Sequence, residues 1–219
     1  LFLPDGAMKR WMYRSQLKEG FETSFLLELS KAGKVWQSEL RQRGVMSGSV
    51  FERMGDLFLY FETEGEHCEW EWPDGCRAMM ETWPGSGGKR RYAVPMLDIF
   101  HDGEPSEVRD GQIDRERIGM LARLKPELYG SYIFYHYALQ EEKPNSFNPT
   151  YTIGTHEDLI FSYHERPTPA FEHGATRRTW PAPIAPENWH DMMKPHFIPW
   201  SEGEQGPELW TRMTTLLTF

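Results

Sequence analysis

The chain has 219 residues, room for one large domain or two small ones, and its 39% hydrophobic and 26% charged content is the balance of a globular protein. Twenty-four Lys and Arg face 33 Asp and Glu, a net charge of −9 that argues against a phosphate-neutralising, nucleic-acid-binding face. No apolar run reaches the roughly 18 residues that a membrane-crossing helix needs, so neither nucleic acid nor membrane is an expected partner.

Residues 9–18 read as a strand, with Trp11, Tyr13, Ser15 and Leu17 on one face by period two. Gly20 breaks it. A helix is expected over 21–43, where Phe25, Leu26, Leu29, Val35, Trp36 and Leu40 recur at helical spacing and Gly44 is placed to end it in the left-handed conformation. Strands at 45–53 and 57–63 flank the hairpin signal Met54-Gly55-Asp56. A short helix at 75–82 and a strand at 94–101 complete the order β-α-β-β-α-β, the split βαβ or ferredoxin-like unit. Residues 102–117 are charged, hold Pro105 and Gly111, and read as a linker.

Beyond that linker the order returns: strand 118–125, helix 127–141, strands 151–156 and 159–165 around Glu157-Asp158, helix 187–197 and strand 209–219. The likeness reaches individual residues. Leu17-Lys18 is matched 107 residues on by Leu124-Lys125, and Ser24 by Ser131. Gly55-Asp56-Leu57 answers Glu157-Asp158-Leu159, and Met79-Met80 answers Met192-Met193. The pattern predicts a tandem duplication, repeat 1 over 8–101 and repeat 2 over 118–219. One four-stranded sheet with helices on one face leaves its other face bare and apolar. The expected fold is therefore α+β: two fused ferredoxin-like units packed sheet to sheet, an intramolecular version of a dimeric α/β barrel. Such a chain is expected as a monomer with an internal pseudo-dimer, or as a homodimer.

The chemistry-bearing stretch is Leu124 to His136. Pro126 suits the first turn of a helix, and Glu127 suits the positive end of its dipole. Tyr132 and His136, four apart, share one helical face. A phenol beside an imidazole is an acid/base kit, although the same spacing also fits half-buried residues of an ordinary amphipathic helix. Trp and Tyr, nine of each, are core residues that also stack on sugar rings.

From these residues repeat 2 resembles the L-rhamnose mutarotase family, small proteins of the split βαβ type that pair as dimers. Lys125-Pro126-Glu127 is similar to the Pro-Asp turn that opens the family's helix, and Tyr132 and His136 fall where its active-site Tyr and His stand. Tyr151-Thr152-Ile153 falls at a family Tyr on the second strand. Asn188-Trp189-His190 falls at a Trp pair, with His190 in place of the second Trp. The resemblance implies a sugar site with His136, Tyr132 and Tyr151 catalytic, Trp189 stacking, His190 as a polar contact, and no cofactor or metal. Repeat 1 departs from the pattern: Phe25 and Leu29 take the Tyr132 and His136 positions, and Cys76-Arg77 takes that of Trp189-His190. It is expected to be a structural partner. Residues 166–186 form a Pro-rich insertion holding Arg177, Arg178 and Trp180, a lid or binding loop.

Mutarotation of L-rhamnose or a related monosaccharide is the implied function. Two alternatives use the same residues. One is a carbohydrate lyase eliminating across a uronate, with Arg177 or Arg178 stabilising the enolate. The other is a non-catalytic sugar-binding module. Six of the eight histidines lie in repeat 2, and none has a metal-ligand spacing on one helix; His190 and His196 fall on opposing faces. Two cysteines, Cys68 and Cys76, and no visible signal segment suggest a cytoplasmic protein with free thiols, with a Cys68–Cys76 bridge left open. Met8 looks like a natural start, so residues 1–7 are expected outside the fold.

Overall fold

A computed structural model describes residues 8–64, 70–104, 114–169, 183–203 and 206–219. It is an α+β protein of antiparallel sheets whose chain divides into two compact units. The first unit takes the described residues up to Met96 together with Thr214–Phe219, and the second takes Leu97–Met213. Among the described residues no helix is long and apolar enough to cross a membrane.

In the first unit, β1 (Met8–Gln16) leads through α1 (Glu22–Gln42) to β2 (Val45–Arg53) and β3 (Asp56–Glu64). α1 forms because Phe25, Leu29, Gly33, Trp36 and Leu40 make one buried stripe. It stops where Gly44 takes φ +88° and its N–H bonds the Arg41 carbonyl at 3.0 Å. β2 and β3 pair from Arg53 and Asp56, so the turn is Met54-Gly55, with φ +53° and +83°. A short α2 (Asp74–Arg77), the small hairpin β4 (Trp83–Pro84) with β5 (Arg90–Arg91), and β6 (Val94–Pro95) follow. The helix expected over 75–82 is cut to one turn. Met79 and Met80 leave it for the sheet edge, where the Met79 carbonyl accepts from Lys18 N–H at 2.9 Å and Met80 bridges Leu17.

The second unit opens with β7 (Leu97–His101) and continues through β8 (Glu116–Leu124), a 3-10 turn Pro126–Leu128, α3 (Tyr129–Glu142), β9 (Thr152–His156) and β10 (Leu159–Arg166). Then come α4 (Trp189–Met193), a 3-10 turn Lys194–His196, β11 (Phe197–Ile198), the hairpin β12 (Ser201–Gly203) with β13 (Gly206–Glu208), and β14 (Trp210–Arg212). The helix expected over 187–197 tightens after Met193 because Pro195 has no N–H to continue the ladder.

Both sheets run in the same order. The first is β15-β2-β3-β1-β6, where β15 is Thr214–Thr218, and the second is β11-β8-β10-β9-β7. Along these paths each is the ferredoxin-like order of four strands with a fifth added beside the second strand, and in the second sheet β14 also pairs with β8 as a sixth. The fifth strand corrects the sequence reading. The strand expected over 94–101 breaks at Met96: Val94–Pro95 pairs with β1, whereas Leu97–His101 pairs with β9. The strand expected over 209–219 breaks at Met213, with Trp210–Arg212 on β8 and Thr214–Thr218 on β2. A continuous extended run says nothing about which sheet each part joins. Gly48 is glycine because the Phe219 ring lies on it; a Cβ there would sit 2.6 Å from ring carbons.

Hairpin register moves the expected correspondence by one residue. Met54-Gly55 sits where Glu157-Asp158 sits, so Tyr60 and Glu62 correspond to Tyr163 and Glu165. Tyr60 donates to Glu62 Oε1 at 2.5 Å and Tyr163 to Glu165 Oε1 at 2.7 Å, all four side chains being buried. Asp102, at the start of the expected linker, is also buried, and its carboxylate accepts the N–H groups of Ser146, Phe147 and Asn148 at 2.7–2.8 Å.

Candidate functional site

Tyr132 and His136 point into the second unit, against the sheet. They are 1% and 4% exposed, and their ring centroids are 4.1 Å apart. Pro126 starts the helical path at the 3-10 turn, and the four-residue spacing then brings the two rings together on the inner side of α3. Trp189, the first residue of α4, sets its edge on the imidazole at 4.9 Å. Phe100 of β7 meets the imidazole at 6.0 Å and Tyr151 at 6.1 Å. Tyr151 lies beside Ser162 of β10 and next to the His164 ring at 5.7 Å. The sequence-predicted Tyr132, His136, Tyr151 and Trp189 thus share one aromatic setting between helices and sheet.

His190 does not join them. It is exposed, one residue along α4 from Trp189 and so turned about 100° away. A single helical turn cannot aim two adjacent residues at one site, which removes His190 as an inward polar contact. Arg177, Arg178 and Trp180 lie outside the described residues, as does the cation that the lyase alternative requires. The described end of that insertion is tied down by Glu142, which accepts Ile184 and Ala185 N–H at 2.7 and 3.0 Å.

His196 is the residue that sequence reasoning missed. It is buried, its ring is 5.9 Å from Tyr132, and its Nε2 is 2.8 Å from Ser131 Oγ. Its Nδ1 faces the Met193 carbonyl at 3.2 Å, and Ser131 Oγ also reaches the Leu128 carbonyl at 3.0 Å. A carbonyl only accepts, so Nδ1 carries a proton. The Ser131 hydroxyl thus stands between His196 Nε2 and the Leu128 carbonyl. The available signal was its separation from His190, which places one of the two histidines inside.

Hydrogen bonding also sets the His136 tautomer. Its Nδ1 is 2.8 Å from the Tyr132 carbonyl, which fixes the proton on Nδ1 and the lone pair on Nε2. Among the described residues neither Nε2 nor the Tyr132 hydroxyl has a hydrogen-bond partner. Burial lowers the His136 pKa to about 4; the Tyr132 carbonyl opposes that shift and the nearby His196 adds to it. An unperturbed imidazole, with a pKa of about 6.5, would serve as both proton donor and acceptor near neutrality. The buried imidazole is instead neutral near pH 7, suited to accept a proton. Burial, reinforced by Tyr151, holds Tyr132 well above the usual phenol range, so it keeps its proton. Burial raises Tyr151 too, against the Ser162 hydrogen bond. His164 is lowered to about 4 by burial and then by Arg166 and Arg212, with Glu116 opposing. Among the described residues no three His, Cys, Asp or Glu side chains gather as a metal site.

The corresponding positions in the first unit are hydrocarbon. Phe25 and Leu29 are core residues, and Phe25 meets the edge of Trp72 at 5.4 Å. Trp36, Trp70 and Trp72 pack mutually at 5.1–5.8 Å, and Trp72 Nε1 donates to Ser15 at 2.9 Å. Cys76 is a buried free thiol.

Fold and site together define an α+β protein with a buried aromatic and imidazole cluster in its second unit. No family model and no curated protein matches the chain. Two solved structures match over nearly its whole length. One, from Fusobacterium nucleatum subsp. nucleatum ATCC 25586, is 9% identical with a TM-score of 0.40, covering 99% of this chain and 95% of that one. The other, from Lactobacillus acidophilus NCFM, is 7% identical with a TM-score of 0.41, covering 97% and 95%. Both are described as "putative monooxygenase". At that similarity the likeness carries no argument about activity.

Proposed function

We propose that the second unit is a cofactor-independent acid/base site that interconverts the anomers of a small reducing sugar, as the resemblance to the L-rhamnose mutarotase family implies. The observation that carries this reading is the close, tilted ring pair itself: a neutral imidazole with a free Nε2 lone pair beside a phenol that keeps its proton. His136 Nε2 takes the proton of the anomeric hydroxyl while the Tyr132 hydroxyl protonates the ring oxygen. The bond from the anomeric carbon to the ring oxygen breaks, leaving an aldehyde. Rotation and the reverse transfers close the other anomer. Trp189 supplies the flat apolar wall, and Tyr151 a second hydroxyl. The same reading takes the two units as duplicated ferredoxin-like folds fused in one chain, which their identical strand order supports.

Saturation-transfer NMR of the full chain with L-rhamnose and a panel of other reducing sugars tests it. The expected result is faster exchange between the two anomeric proton signals for at least one sugar, abolished in His136→Gln. Exchange at the buffer rate for every sugar ends the proposal.

A further inference from the structure

The first unit, whose acid/base positions are filled by Phe25 and Leu29, holds a cleft of about 390 Å³. That is within the range of small-molecule sites. The half-buried Tyr13 and Tyr92 give it aromatic surface, and the buried Trp70 and Trp72 close it from behind. Arg77, Arg90 and Arg91 put three guanidinium groups on its lining, in a chain whose net charge is −9. Each arginine is braced through part of its donor set. Arg77 donates to the Trp72 carbonyl at 2.9 Å and pairs with Asp74 at 2.9 Å. Arg90 holds Thr82 through its hydroxyl at 2.7 Å and its carbonyl at 2.9 Å, and Arg91 donates to the Pro84 carbonyl at 3.2 Å. Among the described residues neither Arg90 nor Arg91 meets a carboxylate. Glu71, the carboxylate on the lining, is paired with Arg43 at 2.8 Å.

A second observation points to a ligand. Trp70 is 6% exposed, and its Nε1–H is buried with no acceptor among the described residues. A buried donor left unpaired is costly, and Trp70 is one of the residues that line the cleft. Donors outnumber acceptors on this lining, and an indole, a guanidinium and a phenol all favour an oxygen-rich anion on a flat body.

We infer that this cleft is a binding site for an anionic monosaccharide, a sugar-sized ring carrying a carboxylate or a phosphate. Its ring lies on the Tyr13 and Tyr92 side chains, one of its oxygens accepts from Trp70 Nε1–H, and its anionic group meets Arg90 and Arg91. The site lies wholly in the first unit and does not depend on the acid/base pair of the second.

The full chain is titrated by calorimetry with D-glucuronate, D-glucose 6-phosphate, D-glucose and sulfate at fixed ionic strength. At least one sugar anion is expected to bind tenfold or more tightly than both glucose and sulfate, and the tighter of the two names the anionic group. The double substitution Arg90→Gln with Arg91→Gln is expected to weaken that binding about tenfold or more. Trp70→Phe keeps the ring, removes the donor and is expected to weaken binding by a smaller factor. It also serves as the test if the double variant does not fold. His136→Gln is expected to leave the titration unchanged. Equal binding of sulfate and the sugar anions, an adventitious ion only, overturns the inference. So do equal binding of glucose, no binding of either sugar anion, or loss of binding in His136→Gln but in neither cleft variant.

Discussion

The helix-facing surfaces of the two sheets share a skeleton and differ in filling. In the first unit Phe25, Leu29 and three mutually packed indoles close that space with apolar atoms. In the second unit the same layer holds two phenols, two imidazoles and two hydroxyls, at Tyr132, Tyr151, His136, His196, Ser131 and Ser162. One strand order thus tolerates either an apolar core or one lined with imidazoles and hydroxyls. The choice lies in two helical positions and in whatever packs on them.

The sharpest way to break the contrast is at its reactive end. His136→Gln keeps the size and polarity of the side chain and removes the base. Anomer exchange is expected to fall about 10²- to 10⁴-fold, while the thermal unfolding midpoint moves little. Comparable rates in variant and parent would erase the distinction between the layers.

The apolar end is tested by Trp36→Ala. This removes a buried indole at the centre of the Trp cluster, together with its 2.9 Å bond to the Glu71 carbonyl. The expected loss is about 3–5 kcal/mol in urea unfolding. Trp189→Ala, at a half-buried position, is expected to cost clearly less.

Acid distinguishes the layers further. The folded His136 pKa, about 4, lies below the unfolded value of 6.5, so between those values the unfolded chain binds a proton that the folded chain refuses. The contribution is full above pH 6.5, declines as pH falls toward 4 and is flat below, on the order of 3 kcal/mol in all. His164 acts in the same direction. Urea unfolding at stepped pH is expected to show the decline in the parent chain and a shallower one in His136→Gln. By the same shift, anomer exchange is expected to hold from pH 7 down to about 5 instead of falling near 6.5.

The smallest effect is expected from Ser131→Ala, which takes the hydroxyl from His196 Nε2 and costs about 1 kcal/mol. A change of several kcal/mol would mean that the Ser131–His196 link, and not the Tyr132–His136 pair, organises the layer.

Much of this was legible in the sequence wherever the signal was local. α1 announces itself by its stripe and by Gly44, the hairpins by two-residue turns, and the Tyr132–His136 pair by four-residue spacing. What stayed hidden depended on distant partners. His196 matters because of Ser131, 65 residues earlier, and no periodicity links the two. Trp70 and Trp72 sit in a stretch with neither helical nor strand pattern, yet they close the first unit's core. The single extended runs over 94–101 and 209–219 read as one strand each, because the break at Met96 or Met213 is decided by which sheet edge is open.

Those two breaks give each sheet one strand from a distant part of the chain. The ribbon that finishes the first sheet lies at the far end of the chain, with Leu216, Leu217 and Phe219 packed on the first unit's core. The ribbon that finishes the second sheet, Leu97–His101, precedes that sheet's other strands in the chain. A backbone nick between β7 and β8 would leave two fragments, each contributing a strand to a sheet of the other, and they are expected to travel through a sizing column together.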